Sequence, residues 1–241
     1  MALDAQTRSA LARVSTATLT TCLFKRGLRN TFLQDVRPVA AGLPRMVGEA
    51  FTLRLIPARE DLDSMEAYAD PQHPQRRAIE TCPPGSVLVI DSRGEARAAS
   101  AGDILIARLK ARGVAGIVTD GGYRDLAGIL RLGFPAYFRR PSAPPGAVFL
   151  HAADVQLPIG CGGVAVYPGD VMVGDEDGVV CVPAHLVAEI AAEAVAMTEY
   201  EDFVLERVEA GRALPGLYPA TPESRAEFAA WQRAKGTSSA G

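Results

Sequence analysis

The middle of the chain carries apolar and polar positions in an order that predicts alternating helices and strands. The predicted elements are a helix over residues 102–112 closed by Gly113, a strand over 114–119, a turn over 120–123, a helix over 124–132 and a strand over 135–138. This succession is the pattern of parallel βαβ units. We therefore expect an α/β domain with parallel strands at its centre.

The N-terminal part predicts one helix and two strands. Helical spacing extends over residues 4–26, and Gly27 follows at the position of a C-terminal cap. Residues 50–56 and 87–90 are patterned as strands. Between these strands, residues 57–84 are rich in charge and proline. We expect this segment, called the excursion below, to leave the core and contain one short helix.

The C-terminal part predicts a different kind of sheet. Short strands joined by turns are predicted over residues 163–167, 171–173 and 179–182, and a long helix over 184–207 closes the core. Closely spaced turns favour antiparallel or mixed pairing. The simplest division is one domain over residues 1–212 and a tail over 213–241 that packs on the domain or on a neighbouring subunit.

Composition narrows the function classes. Apolar residues make up 48% of the chain, charged residues 22%, and the formal net charge is −3. These values are typical of a globular domain and speak against a polyanion-binding protein. No apolar run approaches the roughly 20 residues of a membrane helix, and the N-terminus has no apolar signal segment. We expect a soluble, cytoplasmic protein with no nucleic-acid or membrane partner.

Short motifs with strong chemical meaning are absent from the sequence. It has no Gly-rich loop followed by Lys-Ser or Lys-Thr, no zinc-protease helix, no serine-nucleophile elbow and no dinucleotide fingerprint. The four cysteines lie far apart, which predicts buried thiols. The isolated histidines are more often packing or surface residues than catalysts; they are His73, His151 and His185.

A group of carboxylates around two predicted helix starts is the remaining candidate for chemistry. Asp120 ends a strand, Asp125 follows Arg124 at the next helix start, and Asp103 begins the preceding helix. The carboxyl ends of parallel strands form the crevice where α/β proteins bind ligands. Carboxylates suit a hard divalent cation such as Mg²⁺.

The same helix start offers donors for an anion. The backbone N–H groups of Ile104 and Leu105 are free of partners within the helix and suit a substrate carboxylate or a developing oxyanion. A structural alternative stands beside this interpretation. Asp103 and Asp125 also suit ordinary helix capping, worth about 1 kcal/mol each, and Asp120 suits a turn.

Two motifs resemble a known family. The sequences GDIL at 102–105 and RGVAGIVTDGGYRD at 112–125 look like the signature of the RraA-like family, which includes the 4-hydroxy-4-methyl-2-oxoglutarate aldolases. Supporting matches follow in the family's order: TAT at 16–18, VGEAFT at 47–52, PGSVLVID at 84–91, PGD at 168–170 and DEDGVV at 175–180. The resemblance spans roughly residues 10–200.

The resemblance implies a swivelling β/β/α three-layer α/β domain with mixed parallel and antiparallel sheets. It also implies a homotrimer or homohexamer with active sites between subunits, and a metal-dependent enzyme that handles pyruvate. Asp125 would bind Mg²⁺ or Mn²⁺, and Arg124 would contact the pyruvoyl oxygen and stabilise the enolate. Asp103 would hold metal-bound water, and the amides of Ile104 and Leu105 would bind the substrate carboxylate.

The sequence departs from the family pattern at several positions. The family places Glu or Asp three residues after the Arg-Asp pair, where this chain has Gly128. Residues 70–77 contain no counterpart of the asparagine that the aldolases place before the Pro-Gly strand. The family also implies a glutamate from a neighbouring subunit's C-terminal helix, for which Glu199 and Glu201 are the candidates.

The charged excursion suggests an altered substrate. Arg59, Arg76 and Arg77 are candidates to reach a second carboxylate or the hydroxyls of a sugar acid, because a guanidinium suits both groups. A solvated loop is the alternative.

The leading hypothesis is a metal-dependent lyase that cleaves a 4-hydroxy-2-oxo acid to pyruvate, with oxaloacetate decarboxylation as a side activity. One alternative is a noncatalytic regulator that binds ribonuclease E, and another is a family member acting on a sugar-derived 2-oxo acid. Methylation of demethylmenaquinone, an older name in the family, is disfavoured because no loop suits a methyl-donor nucleotide.

Overall fold

The computed structural model describes residues 3–238. Its helices are α1 (Ala5–Leu11), α2 (Thr16–Phe24), α3 (Pro74–Thr81), α4 (Asp103–Ala111), α5 (Leu126–Leu132), α6 (Val187–Glu209) and α7 (Pro222–Ser238). Its strands are β1 (Arg37–Pro38), β2 (Met46–Pro57), β3 (Val87–Asp91), β4 (Ala99–Ala101), β5 (Gly116–Thr119), β6 (Gly122–Tyr123), β7 (Ala136–Phe138), β8 (Arg140–Pro141), β9 (Leu150–Val155), β10 (Ile159–Cys161), β11 (Val164–Val166), β12 (Val171–Gly174) and β13 (Val179–Val182). Short 3₁₀ turns lie at Glu66–Ala69, Gly146–Val148 and Ala184–Leu186.

The main sheet has eight strands and combines both kinds of pairing. Its order is β1-β7-β5-β3-β2-β12-β13, with β9 on the C-terminal half of β2. Neighbours from β2 to β7 pair in parallel, whereas β1, β9, β12 and β13 pair antiparallel. The expected α/β class with mixed strand pairing is confirmed, including parallel strands at the centre and antiparallel strands from the C-terminal part.

A second, small sheet corrects the prediction for residues 120–123. The Gly-Gly-Tyr segment contains strand β6, which pairs in parallel with β4 and β8. Tyr123 is fully buried and stacks on Phe138, with 5.6 Å between ring centroids. The turn prediction was wrong because it rested on the glycines, whereas the backbone of β6 finds partners in distant segments.

The N-terminal helix prediction was also wrong in its continuity. Residues 4–26 form two helices: α1 ends at Leu11, and Ser15 caps the start of α2, where its Oγ accepts a hydrogen bond from the Thr18 amide at 3.0 Å. The sequence patterns also missed the strands β1, β4, β8, β9 and β10 and the helix α7. Elsewhere the predicted elements differ from the observed ones by a few residues at their ends.

Helices cover one face of the main sheet, and the hairpin of β10 and β11 covers the other. One buried cluster joins α3, α4 and α5 to the sheet, and another joins α1, α2 and α6 to β12 and β13. The cysteines are all buried, as predicted. Burial raises the pKa of the Cys22 thiol to about 11 and that of Cys82 to about 12, so neither is a thiolate at neutral pH.

The described part of the tail contacts the C-terminal half of α6. Phe228 and Trp231 of α7 pack around Phe203, with ring centroids 5.7 and 5.8 Å from that ring. Among the helices within residues 3–238, none is long and apolar enough to cross a membrane.

Candidate active site

A cleft of about 170 Å³ lies where α4 and α5 begin and where the excursion folds back on the small sheet. Its lining residues are Met65, Tyr68, Gln75, Arg76, Ala99, Ala101, Gly102, Asp103, Ile104, Leu105, Arg124, Asp125, Pro145 and Gly146. All five residues predicted for the site are among them. The two motifs meet because β4 and β6 are parallel neighbours, and each is followed by one of the two helix starts.

Asp125 holds an unusual backbone conformation at the start of α5. Its φ of 59° and ψ of 41° are left-handed, a region that a non-glycine residue seldom adopts. Its side chain makes no capping hydrogen bond, so the capping alternative is wrong for this residue. Asp125 Oδ2 lies 3.2 Å from Arg124 Nε, and the two side chains are 49% and 44% exposed. A half-exposed carboxylate and guanidinium are therefore presented together to the cleft.

Gly102 allows this pair to approach α4. A Cβ atom at residue 102 would lie 2.9 Å from Asp125 Oδ2 and 3.2 Å from Arg124 Cγ. Any side chain at this position would push the pair away from the helix start. The glycine before Asp103 thus has a steric role in bringing the two motifs together.

Asp103 is the first residue of α4 and lies against α5. A Cβ atom at residue 128 would be only 2.1 Å from Asp103 Oδ2. Gly128, the departure from the family pattern, therefore leaves the space that the Asp103 carboxylate occupies. In the same first turn, the Ile104 side chain is 79% exposed, and the amides of Ile104 and Leu105 belong to the turn whose N–H groups have no acceptor inside the helix.

Asp120 has a structural position outside the cleft lining. Its carboxylate accepts hydrogen bonds from the amides of Ser92 at 2.7 Å, Gly94 at 2.9 Å and Gly162 at 3.3 Å. The side chain is 5% exposed, and burial raises the pKa of its carboxyl group. Asp120 thus has a structural role, but it anchors distant segments instead of shaping its own turn, and it lies outside the lining that contains Asp103 and Asp125.

His73 lies within the excursion, and His151 contacts it from β9. His151 Nδ1 is 2.8 Å from Asp63 Oδ1, and the His73 ring packs on Tyr68 with 4.7 Å between centroids. Burial, followed by the charge of Arg76, lowers the pKa of His73. His185 is exposed in a 3₁₀ turn.

The sequence reasoning missed the excursion's apolar contribution to the cleft. Met65 and Tyr68 line it, and Gln75 Nε2 donates to the Ser100 carbonyl at 2.8 Å, which fixes α3 against β4. The proline and charge content of the excursion carries no signal for this contact, because the contact depends on where the segment folds back.

The two candidate glutamates bond within their own chain. Glu201 Oε2 accepts from Thr18 Oγ1, and Glu199 Oε2 accepts from Gln232 Nε2, both at 3.1 Å. The contribution of either residue to a neighbouring cleft stays a prediction.

The donor set of the cleft fits a hard divalent cation. Asp103 and Asp125 both present carboxylates there. Within residues 3–238, no group of three or more His, Cys, Asp or Glu side chains is arranged to hold a metal. One or two carboxylates completed by water are what Mg²⁺ takes, whereas structural zinc needs a full set of protein ligands.

The mixed main sheet and the small parallel sheet bring the Gly-Asp and Arg-Asp motifs to one cleft. The RraA-like family model, described as Aldolase/RraA, matches residues 12–181. The chain belongs to the RraA-like family.

Comparisons with individual curated proteins agree with this family assignment. The chain is 39% identical over 107 residues to a Halalkalibacterium halodurans protein named "Putative 4-hydroxy-4-methyl-2-oxoglutarate aldolase", covering 44% of this chain and 50% of that protein. It is 25% identical to DlpA of Legionella pneumophila over 76% of this chain and 28% of that protein. The chain thus spans half or less of the length of these curated relatives.

Solved structures share the fold over nearly their whole length. An uncharacterized protein of Pseudomonas syringae superposes with a TM-score of 0.78 at 26% identity, covering 90% of this chain and 98% of that chain. Streptomyces coelicolor RraAS2, described as an unusual member of the RNase ES inhibitor RraA protein family, gives a TM-score of 0.74 at 31% identity, covering 84% and 97%. The fold expected from the resemblance is confirmed.

Proposed function

We propose that this protein is a divalent-metal-dependent lyase that cleaves a 4-hydroxy-2-oxo acid to pyruvate and a carbonyl product. The observation that carries the proposal is the meeting of Asp103, Arg124 and Asp125 with the N-terminus of α4 in one cleft. The name of the Halalkalibacterium halodurans relative supports the same reaction class.

The size of the cleft favours a small acid. Its volume of about 170 Å³ lies below the roughly 300–1,000 Å³ of pockets for drug-sized ligands. A compact 2-oxo acid suits this space better than a nucleotide does.

Each end of the 2-oxo acid group has a complementary partner. The amides of Ile104 and Leu105 bind the substrate carboxylate at the positive end of the α4 dipole. The Arg124 guanidinium faces the 2-oxo oxygen, where negative charge develops as the enolate forms. Asp125 would hold Mg²⁺ or Mn²⁺, Asp103 would hold metal-bound water, and the chemistry that the metal would supply is Lewis-acid polarisation of the 2-oxo group.

The reaction begins with loss of the 4-hydroxyl proton. Asp103 orients the water that accepts this proton, and the C3–C4 bond then breaks with its electron pair moving into the 2-oxo group. The carbonyl product forms from C4, and Arg124 stabilises the pyruvate enolate until C3 takes up a proton. Oxaloacetate decarboxylation passes through the same enolate, so we expect it as a side activity.

The test is pyruvate release coupled to lactate dehydrogenase. A panel of 4-hydroxy-2-oxo acids and oxaloacetate is assayed with Mg²⁺ or Mn²⁺, and with a chelator. We expect Asp125→Ala to lower kcat/KM by more than about 100-fold, because even residues behind a metal ligand typically contribute 10–100-fold. Asp61→Ala, at an exposed aspartate paired with Arg59 outside the cleft, is the matched control and should stay within about twofold of wild type.

No turnover of any panel member by folded protein would overturn the proposal, as would full activity of Asp125→Ala. The second candidate, a regulator that binds ribonuclease E, is supported by the printed description of Streptomyces coelicolor RraAS2. A pull-down with purified ribonuclease E distinguishes the two, because enrichment over a control protein without pyruvate release favours the regulator.

The implied assembly is a homotrimer or homohexamer with clefts between subunits. It is part of the proposal because the family resemblance assigns a glutamate in the active site to a neighbouring subunit.

A further inference from the structure

Arg76 is held in the wall of the cleft by the excursion. Its Nε donates to the Tyr68 carbonyl at 3.1 Å, and its Cζ lies 5.3 Å from the centre of the Tyr68 ring. The other contact of that ring is His73. The guanidinium is therefore positioned before any ligand arrives, which lowers the entropic cost of binding.

Arg76 has no carboxylate partner within the described residues, whereas the other excursion arginines are differently placed. Arg59 pairs with Asp61 at 2.7 Å in a largely exposed loop. Arg77, one residue further along α3, is exposed and does not line the cleft. Of the three arginines considered from sequence, Arg76 is the one that reaches the cleft.

The electrostatics of the cleft favour a dianion. Burial raises the pKa of the Tyr68 hydroxyl. The positive charges of Arg76 and Arg124 each lower it by a smaller amount. The two lining arginines cancel the charges of the two lining aspartates. A divalent cation then leaves an excess of two positive charges, which a 2-oxo monocarboxylate neutralises only in part.

We propose that Arg76 is a specificity-determining residue that binds a second carboxylate on the C4 side of the substrate. This inference rests on the proposed function for the identity of the 2-oxo acid end. A planar guanidinium binds a carboxylate through two parallel hydrogen bonds, which a methyl or hydroxymethyl group at the same place cannot form.

The first test is binding without turnover. Calorimetry with Mg²⁺ compares 2-oxoglutarate with 2-oxopentanoate, in which a methyl group replaces the second carboxylate. We expect wild type and Arg77→Gln, the matched control, to prefer 2-oxoglutarate by roughly 10- to 100-fold, and Arg76→Gln to lose this preference. Arg76→Lys keeps the positive charge and the aliphatic part of the side chain, so it should retain part of this preference. It is also the second variant to measure if Arg76→Gln does not fold. Equal binding of the two acids by wild type, or an unchanged preference in Arg76→Gln and Arg76→Lys, overturns the inference.

The second test is turnover of three substrates that differ only at C4. These are 4-hydroxy-2-oxoglutarate, 4-hydroxy-2-oxopentanoate and 4,5-dihydroxy-2-oxopentanoate, with a carboxylate, a methyl and a hydroxymethyl group. Arg76→Gln should lower kcat/KM for the first by roughly 10- to 100-fold and leave the other two within about threefold. Equal losses on all three, or a wild-type preference for the hydroxymethyl substrate, would contradict a carboxylate-specific role.

The two tests separate the inference from its premise. Pyruvate release from none of the substrates, with the 2-oxoglutarate preference intact and dependent on Arg76, overturns the lyase proposal and supports the role of Arg76 in binding. Pyruvate release without a carboxylate preference supports the lyase proposal and overturns the role of Arg76 in binding.

Discussion

At the scale of single residues, the cleft depends on two glycines, which have no side chain. Gly102 allows the Arg124–Asp125 pair to approach α4, and Gly128 gives the Asp103 carboxylate its place against α5. The family has an acidic residue where this chain has Gly128. The change to glycine leaves no void, because the Asp103 carboxylate fills the space. A glycine inside a helix costs about 1 kcal/mol relative to alanine, so its presence in α5 has a steric reason.

Gly128→Ala is expected to lower both stability and activity. Alanine favours the helix, but its Cβ would lie 2.8 Å from Asp103 Cβ, so the overpacking should lower the free energy of unfolding by about 1–3 kcal/mol. Its Cβ displaces Asp103, and kcat/KM for pyruvate release should fall on the order of 10²-fold, the typical effect of moving a catalytic group by about 1 Å.

A double-mutant cycle provides the control. Adding Gly128→Ala to an Asp103→Ala protein should cost no further activity, because the residue through which Gly128 acts is gone. An additive loss in that background would show that Gly128 affects the cleft by another route.

At the scale of secondary-structure elements, the buried Asp120 carboxylate joins segments that lie far apart in sequence. It ties the end of β5 to the loop after β3 and to the turn between β10 and β11. This anchoring sets where β6 starts, and β6 in turn leads to Arg124 and Asp125. Asp120 therefore supports the cleft without lining it.

Asp120→Ala is expected to destabilise the fold by about 3 kcal/mol, since it leaves buried amides without their acceptor. Urea unfolding measures this change. Asp125→Ala, at a half-exposed position with no capping bond, should lower the free energy of unfolding by only about 1 kcal/mol, because alanine tolerates the left-handed backbone less well than aspartate. Equal stability of the two variants would remove the structural distinction between these aspartates.

At the scale of the whole molecule, the cleft and the tail are separate features. All cleft-lining residues lie between 65 and 146. Helix α7 packs on α6 through Phe203, and its Glu227 pairs with Arg212 in the loop that follows α6. The tail thus covers aromatic side chains that the main sheet does not bury.

A chain ending at residue 212 is expected to fold, to form the same oligomer as the full chain, and to release pyruvate within about twofold of the full chain's rate. Exposure of Tyr200 and Phe203 should lower the melting temperature by several degrees and increase self-association at high concentration. Light scattering after size exclusion, with a melting curve, measures both effects. A monomeric truncated chain would assign the tail to the subunit interface instead.

Local patterns predicted much of this protein. Apolar runs predicted the central strands, glycines marked helix ends, and the motifs at 102–105 and 112–125 predicted the cleft residues, because these signals lie within a few neighbouring positions. The same local logic failed at residues 122–123, where two glycines indicated a turn and distant partners formed a strand.

The sequence by itself determined the fold class, the order of most elements and the five residues that meet at the cleft. Only the tertiary structure decided that Asp120 is an anchor, that Asp103 occupies the space over Gly128, and that Arg76 reaches the cleft while Arg59 and Arg77 do not. These outcomes depend on contacts between segments tens of residues apart, whose positions follow from packing of the whole chain, whereas backbone propensity and periodicity act only over a few residues.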